Sequence, residues 1–290
     1  METLKTTSLP TSKSTNRANL SRYRMLLALV AVVALLTQSK YSNLELAPKI
    51  STKSVVDLND HQISYIAVAT SVRILSPDGY GSGVIVKRYF DGYLILTNRH
   101  VVSSNKSDKF KILTVDGKLH YAILCPSFIF GDLDLALLEF KSPDLYKVIE
   151  IGRSERIELG EIVYAVGFPN WEWVGAKVVK NTKDYGMRAF QLTRGKVVML
   201  PLKPLATGYQ IGYTNNVQHG MSGGAILNRS GQLVGVNGRS PYPLAGIDAF
   251  EFADGTKPSE ALYKRMEALS WGIPSQFFKL RLCLHPFIHL

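Results

Sequence analysis

Cysteine is scarce in this chain. Cys125 and Cys283 are the only two in 290 residues, and they lie far apart. They match no metal-ligand spacing and are too few for a disulfide framework in a chain of this length. No metal site is therefore predicted. Two roles stay open for them: small core residues, or a single disulfide bridge in an oxidising compartment.

A cluster of basic residues is also lacking, although the formal net charge is +11. Residues 1–24 hold five lysines and arginines against one glutamate, which accounts for four of those charges. The remaining charge is spread along the chain and indicates a solvated surface, so no nucleic acid is expected as a partner. The glycine-rich stretch 79–83 lacks the Lys-Ser/Thr pair and the following helix of a phosphate loop. No cofactor is expected.

Helical periodicity is absent between the apolar runs of the main body. From about Ser64 onward, short runs alternate with Gly, Asn, Asp and Pro, at 65–68, 83–86, 93–96, 135–138, 162–166, 195–198 and 233–236. Short runs rich in β-branched and aromatic residues, bounded by turn formers, are typical of an all-β sandwich or barrel. One short helix is predicted near the C-terminus, where Leu262, Met266 and Leu269 share a helical face after Ser259.

The N-terminal region pairs a basic stretch with an unbroken apolar run at 25–36. A helix of this length spans about 18 Å, short of the roughly 30 Å hydrocarbon core of a bilayer. The pattern is typical of an export signal, with the small residues Thr37 and Ser39 of Thr-Gln-Ser at the cleavage site. An uncleaved membrane anchor and an organellar transit peptide are the alternatives. A signal or an anchor places residues 40–290 outside the cytoplasm, in an exported or periplasmic location.

Three motifs carry catalytic residue types in the order His, Asp, Ser. His100 follows the apolar run 93–96, Asp134 opens the run 135–138, and Ser222 lies in Gly-Met-Ser-Gly-Gly at 220–224. Amide hydrolysis by a serine requires a histidine base and a buried carboxylate that orients it. Glycines permit the tight turn that exposes the serine oxygen and aims the N–H groups of Gly220 and Ser222 at an oxyanion.

This ordered set resembles the trypsin/chymotrypsin-like serine peptidase superfamily, and within it the bacterial HtrA-like (Deg) and cyanobacterial trypsin-like peptidases. The matching motifs are Gly-Ser-Gly at 81–83, Thr-x-x-His at 97–100, Asp-Leu-Ala-Leu at 134–137, Gly-Phe-Pro at 167–169 and Gly-x-Ser-Gly-Gly at 220–224. The resemblance covers roughly residues 64–278. It implies two packed six-stranded antiparallel β-barrels with the catalytic triad in the cleft between them. HtrA-like proteins usually carry a PDZ domain after the peptidase, and none is expected here. The resemblance alone suggests a homo-oligomer.

The predicted organisation has four segments. They are a basic region with a signal peptide or anchor at 1–39, a linker at 40–60, a peptidase domain at 61–280 and a tail at 281–290. Within the peptidase domain, residues 61–170 are expected to form the first barrel and 189–280 the second. Residues 171–188 are expected to form the link between them, with a surface loop.

Substrate contacts are expected beside the predicted triad. Asn216 lies six residues before Ser222, where the resemblance places the base of the pocket for the P1 side chain. A neutral amide cannot neutralise Arg or Lys, so no strong preference for basic P1 residues is predicted. His219 is expected in the cleft wall. The pocket wall and the edge that pairs with the substrate backbone are expected from Asn237, Gly238 and Arg239.

Other residues of the same types are set aside by their context. Four histidines lie in no motif and are expected at the surface or in packing: His61, His120, His285 and His289. Asp132 competes with Asp134 for the carboxylate role. Asp134 directly precedes an apolar run and is therefore expected to be the buried one of the two.

The predicted function is an exported or membrane-anchored serine endopeptidase acting on polypeptide substrates without a metal or cofactor. His100 is expected to act as base and then acid, and Asp134 to orient it. Residues 25–36 contact the membrane in this prediction if the signal stays uncleaved. The alternative is a catalytically silent peptide-binding or chaperone-like module on the same fold.

Overall fold

The computed structural model describes residues 57–76, 79–103, 107–125, 130–174 and 178–284. All of them belong to the unit that begins at Val56. The predicted export segment at 25–36 and most of the predicted linker at 40–60 lie outside the described residues, as do His285, His289 and the side chain of Cys283.

Two closed six-stranded antiparallel barrels form the body of the protein, which confirms the predicted fold class. The first has the strand order β1-β2-β3-β6-β5-β4. Its strands are β1 Ser71–Ser76, β2 Gly79–Tyr89, β3 Gly92–Thr97, β4 Lys109–Leu113, β5 Leu119–Leu124 and β6 Ala136–Lys141. Closure leaves no exposed strand edge within the barrel.

The second barrel has the strand order β10-β11-β14-β13-β12-β7. Its strands are β7 Ile162–Gly167, β10 Gln191–Met199, β11 Ile211–Tyr213, β12 Ala225–Leu227, β13 Leu233–Arg239 and β14 Ser270–Pro274. A separate hairpin pairs β8 Trp171–Trp173 with β9 Val179–Asn181. Because β7 closes the second barrel, the connection between the barrels runs from 142 to 161, earlier in the chain than the predicted link at 171–188.

The apolar run at 65–68 does not form a strand, and that prediction was wrong. It lies inside helix α1, Asp60–Thr70. Asn59 and Gln62 form a capping box, in which each side chain accepts a hydrogen bond from the other residue's backbone N–H. Ile63 and Ala67 are buried one helical turn apart, whereas Tyr65 between them is exposed. The helical period was therefore present, but it began upstream of the run.

Three further helices are short: α2 Arg99–Val102, α3 Glu260–Met266 and α4 Lys279–Leu284. The predicted C-terminal helix is confirmed as α3, with Ser259 as its N-cap. Leu282 of α4 is buried, so the predicted tail begins with residues that pack on the core. Short 3-10 segments occur at Ser154–Arg156, Lys183–Ala189, Ala206–Gly208, Gly246–Phe250 and Ser275–Phe277, and the second of these is interrupted at Gly186. Within the described ranges, no helix has the length and apolar character needed to cross a membrane.

Strand β7 is buried on both faces, which explains its continuous apolar run. Val163 and Ala165 face the cluster inside the second barrel, together with Ile211. Tyr164 and Val166 belong instead to a cluster shared by the two barrels, which also holds Val84 and Leu96 of the first barrel. Successive side chains of a strand point to opposite faces. The barrels are therefore held together through an apolar layer.

Cys125 is a free, half-buried thiol that packs against this shared cluster. Burial raises its pKa to about 12, and the nearby carboxylate of Glu139 adds to the effect. Its environment is that of a small core residue.

Candidate active site

His100 lies in the single turn of α2, directly after β3. Its Nδ1 is 2.6 Å from Asp134 Oδ2, and its backbone N–H donates to Asp134 Oδ1 at 2.9 Å. Asn98 also holds the segment before His100 against Asp134, because its Nδ2 donates to the Asp134 carbonyl at 2.8 Å. An ionised carboxylate can only accept, so Nδ1 carries a proton and Nε2 is left as the basic ring nitrogen. The imidazole is 48% exposed and is accessible to a substrate.

Asp134 precedes β6, and its backbone N–H donates to the Thr207 carbonyl at 2.9 Å. Its side chain is only 13% exposed, whereas Asp132 is exposed. Burial by itself raises the pKa of Asp134, but hydrogen bonds from His100 and Tyr209 outweigh that effect and hold the pKa below its ordinary value. The carboxylate is therefore ionised at neutral pH and complements a positive charge on His100.

Tyr209 supplies a third donor to this carboxylate, with its hydroxyl 2.5 Å from Asp134 Oδ2. The ring is 2% exposed. Burial and the adjacent Asp134 charge raise the pKa of Tyr209 well above its ordinary value, so the hydroxyl stays protonated and can donate. Gly238 leaves the space for it, since a Cβ at 238 would lie 2.1 Å from the Tyr209 hydroxyl oxygen. Sequence reasoning missed Tyr209 because it lies in no motif.

The turn around Ser222 depends on two glycines with positive φ, +96° at Gly220 and +84° at Gly223. This left-handed region is open to glycine and costly for other residues. Within the described part of the chain, the N–H groups of Gly220 and Ser222 donate to no acceptor. Both N–H groups therefore lack an acceptor among the described residues, and their role as oxyanion donors stays a prediction.

Ser82 of β2 attaches this turn to the first barrel. Its backbone N–H donates to the Ser222 carbonyl at 2.9 Å, and its hydroxyl donates to the Gly220 carbonyl at 2.7 Å. The same hydroxyl accepts from the Phe168 N–H at 2.8 Å. A Cβ at Gly223 would lie 2.1 Å from the Ser82 carbonyl oxygen, so the approach requires glycine. Ser82 lies in the Gly-Ser-Gly motif at 81–83, but the sequence alone did not predict that it binds the Ser222 turn.

Two cavities meet at His100. The smaller, of about 180 Å³, is lined by His219, Gly220 and Ser222 among others. The larger, of about 420 Å³, lies on the Asp134 side and is lined by Arg99, His100, Asp132, Asp134, Thr207, Tyr209, Gly238 and Arg239. The Ser222 hydroxyl is 3.5 Å from the Gly238 carbonyl. No hydrogen bond between described residues joins it to His100.

The predicted substrate residues fall into different places. His219 is exposed in the smaller cavity, and Gly238 and Arg239 line the larger one. Asn216 is exposed and lines neither of the two. Asn237 is fully buried, where Nδ2 donates to the Val166 carbonyl and Oδ1 accepts from the Tyr213 hydroxyl. Its side chain therefore stabilises the second barrel.

Comparison with known proteins gives a consistent family. The model of the trypsin-like peptidase domain matches residues 81–236. The serine protease Do-like HtrB of Bacillus subtilis is 31% identical over 174 residues, covering 59% of this chain and 35% of that protein. The periplasmic pH-dependent serine endoprotease DegQ of Escherichia coli is 31% identical over 189 residues, covering 65% of this chain and 37% of DegQ.

A solved structure supports the fold at lower identity. The crystal structure of the serine endoprotease from Yersinia pestis superposes with a TM-score of 0.52 at 23% identity, covering 78% of this chain and 65% of that one. The chain spans about a third of the length of the curated relatives HtrB and DegQ.

Proposed function

Because the chain belongs to the trypsin-like peptidase family, we propose that it is a serine endopeptidase that cleaves polypeptides through an acyl-enzyme on Ser222. The observation that carries the proposal is the Asp134 carboxylate, which accepts from the Nδ1 and N–H of His100 and from Tyr209. A buried carboxylate that fixes the tautomer of a half-exposed imidazole is what general-base catalysis requires.

In the proposed reaction, His100 Nε2 removes the proton of the Ser222 hydroxyl as Oγ attacks the substrate carbonyl carbon. The oxyanion that forms accepts from the N–H groups of Gly220 and Ser222, an interaction worth about 3–4 kcal/mol per donor in the transition state. The protonated imidazole then gives its proton to the leaving amine, and the C–N bond breaks. Water deprotonated by His100 hydrolyses the ester and regenerates Ser222.

The 3.5 Å contact between the Ser222 hydroxyl and the Gly238 carbonyl describes a resting rotamer in this proposal. Catalytic hydrogen bonds in free enzymes are often long and shorten when substrate binds. We expect substrate pairing beside Gly238 to occupy its carbonyl and turn the Ser222 hydroxyl towards His100. The same contact favours the second candidate, a silent peptide-binding module, if that turn does not occur.

Labelling with a fluorophosphonate probe tests the reaction and separates the two candidates. The probe is expected to modify Ser222 in the full-length protein, with no labelling of Ser222→Ala. Asp134→Asn is expected to slow labelling by about 10⁴-fold because the tautomer of His100 is wrong. Asp91→Asn is the matched control, since Asp91 is an exposed carboxylate that pairs with Lys141 away from the site. A protein that binds casein but neither cleaves it nor reacts with the probe is a binding module.

The remaining parts of the proposal concern location and substrates. Export rests on the apolar run at 25–36 and on the periplasmic relative DegQ. An alkaline phosphatase fused after residue 290 should be active only if the chain is exported.

We assign peptidase activity to residues 61–280, with no strong preference for P1 Arg or Lys. A peptide library tests this preference. Self-association is a separate proposal, measured by light scattering.

A further inference from the structure

Arg239 ends β13 at the larger cavity, and its guanidinium has no hydrogen-bond acceptor among the described residues. Within the described residues, no oxygen accepts a hydrogen bond from it and no carboxylate forms an ion pair with it, and its Nη1 is buried. Arg73, also buried, donates to the carbonyls of Thr182 and Gly186 and to the Thr182 hydroxyl. Leaving guanidinium donors unused in a half-buried site costs free energy, so an acceptor from outside the described residues is expected.

The side chain is held in one place by aromatic rings. Its Cζ lies 4.7 Å from the centroid of Tyr209 and 5.7 Å from that of Phe250. Burial lowers the pKa of Arg239, while the neighbouring Tyr209 and Asp134 oppose that effect. The group remains a cation at neutral pH. A charged, planar fork positioned in advance is suited to bind a carboxylate with two parallel hydrogen bonds.

The other charged residues that line the larger cavity do not bind the Arg239 guanidinium. Arg99 already donates to the carbonyl of Gly131. Asp132 is exposed at the wall and forms no ion pair with Arg239. The Asp134 carboxylate is occupied by three donors. Arg239 is therefore the cation of the larger cavity without a hydrogen-bond acceptor in the described chain.

We infer that Arg239 binds an acidic side chain of the polypeptide substrate, at the P2 position, in the larger cavity beside His100. The inference rests on the proposed function, and it names a substrate class. P2 is the position because His100 and Gly238 line this cavity, and the proposed function places the substrate strand beside Gly238, next to the reacting carbonyl. Side chains of an extended peptide alternate in direction, so P2 points away from the pocket that takes P1.

Quenched peptides built on one casein cleavage site, differing only in Glu or Gln at P2, test the inference. We expect the Glu peptide to have a kcat/KM about tenfold higher, a ratio that corresponds to roughly 1.4 kcal/mol. Arg239→Met keeps an apolar stem on the rings and should bring the ratio to about one. Arg239→Lys should give a reduced ratio, since it keeps the charge without the fork. Arg188→Met is the control, because Arg188 also lies over a tyrosine but lines neither cavity.

Binding of the same two peptides to Ser222→Ala, followed by fluorescence anisotropy, separates this inference from the proposed function. Tighter binding of the Glu peptide that Arg239→Met abolishes supports the inference even if turnover is never seen. Equal affinity and equal kcat/KM for the Glu and Gln peptides would overturn the inference. A preference for the Glu peptide that persists in Arg239→Met would also overturn it. If Arg239→Met does not fold, an unchanged ratio in Arg239→Lys is the result against it. An enzyme that is labelled and cleaves casein without P2 preference contradicts only this inference.

Discussion

The hydrogen bond from Tyr209 to Asp134 yields the sharpest quantitative prediction. Tyr209→Phe removes one hydroxyl and leaves Oδ2 with the His100 Nδ1 as its single donor. Tyr209 is 2% exposed, so water has little access to the position of its hydroxyl. Hydrogen bonds to charged groups contribute about 1.5–3 kcal/mol, and we expect a loss of that size in the free energy of unfolding at pH 7.

The pH dependence of this loss identifies its origin. The pKa of Asp134 in the folded state lies below its ordinary 3.8, so its stabilising contribution is present above pH 3.8 and is lost as the pH falls through the folded value. The cost of Tyr209→Phe should therefore be complete at pH 7 and shrink below pH 3.8. Urea unfolding of the parent and the variant, followed by tryptophan fluorescence from pH 3 to pH 8, measures it.

Tyr213→Phe is the matched control. Tyr213 is equally buried and donates to a neutral acceptor, Asn237 Oδ1, at 2.6 Å. Its loss should cost about 1–3 kcal/mol without dependence on the charge of Asp134. Fluorophosphonate labelling should slow about tenfold in Tyr209→Phe if about 1.4 kcal/mol is lost in the transition state. A stability cost that is independent of pH, or equal labelling rates in the two variants, would refute the positioning role.

Two further predictions follow from other contacts. Ser82→Ala removes the donor to the Gly220 carbonyl and the acceptor of the Phe168 N–H. It should cost about 1–3 kcal/mol in urea unfolding and slow labelling of Ser222, and an unchanged labelling rate would show that Ser82 does not hold the turn. The raised pKa of Cys125, about 12, predicts that the thiol reacts with iodoacetamide at pH 8 far more slowly in the folded protein than in urea. Mass spectrometry of a Cys283→Ser variant measures this rate, and equal rates in both states would contradict the burial argument.

Much of the fold could be predicted because its strands leave local signals. Buried strands such as β3 and β13 read as short apolar runs between turn residues. The run at 65–68 failed because four apolar residues fit a helix and a strand equally well. The decisive signal was the capping pair Asn59 and Gln62, which lies outside the run.

The barrel boundary was harder to predict because strand partners are set by distant pairing. Strand β7 pairs with β10 and β12, so nothing in its own residues assigns it to the second barrel. In the candidate site, too, residues that lie in local motifs could be predicted, and residues that act through long-range contacts could not. His100, Asp134 and Ser222 lie in local motifs, whereas Tyr209 and Ser82 act through contacts made 75 and 138 residues away in sequence.

Because the Ser222 turn is attached to Ser82 of the other barrel, a substitution far from the site can affect it without unfolding either barrel. His100 and Asp134 belong to the first barrel and Ser222 to the second, so each half holds only part of the proposed triad. A substitution that weakens the contacts between the two barrels would abolish the proposed reactivity of Ser222 while both barrels stay folded. In the proposed mechanism, the reactivity of Ser222 therefore reports whether the two barrels are correctly aligned. A chain cut within 142–161 should recover it only when the two fragments reassociate.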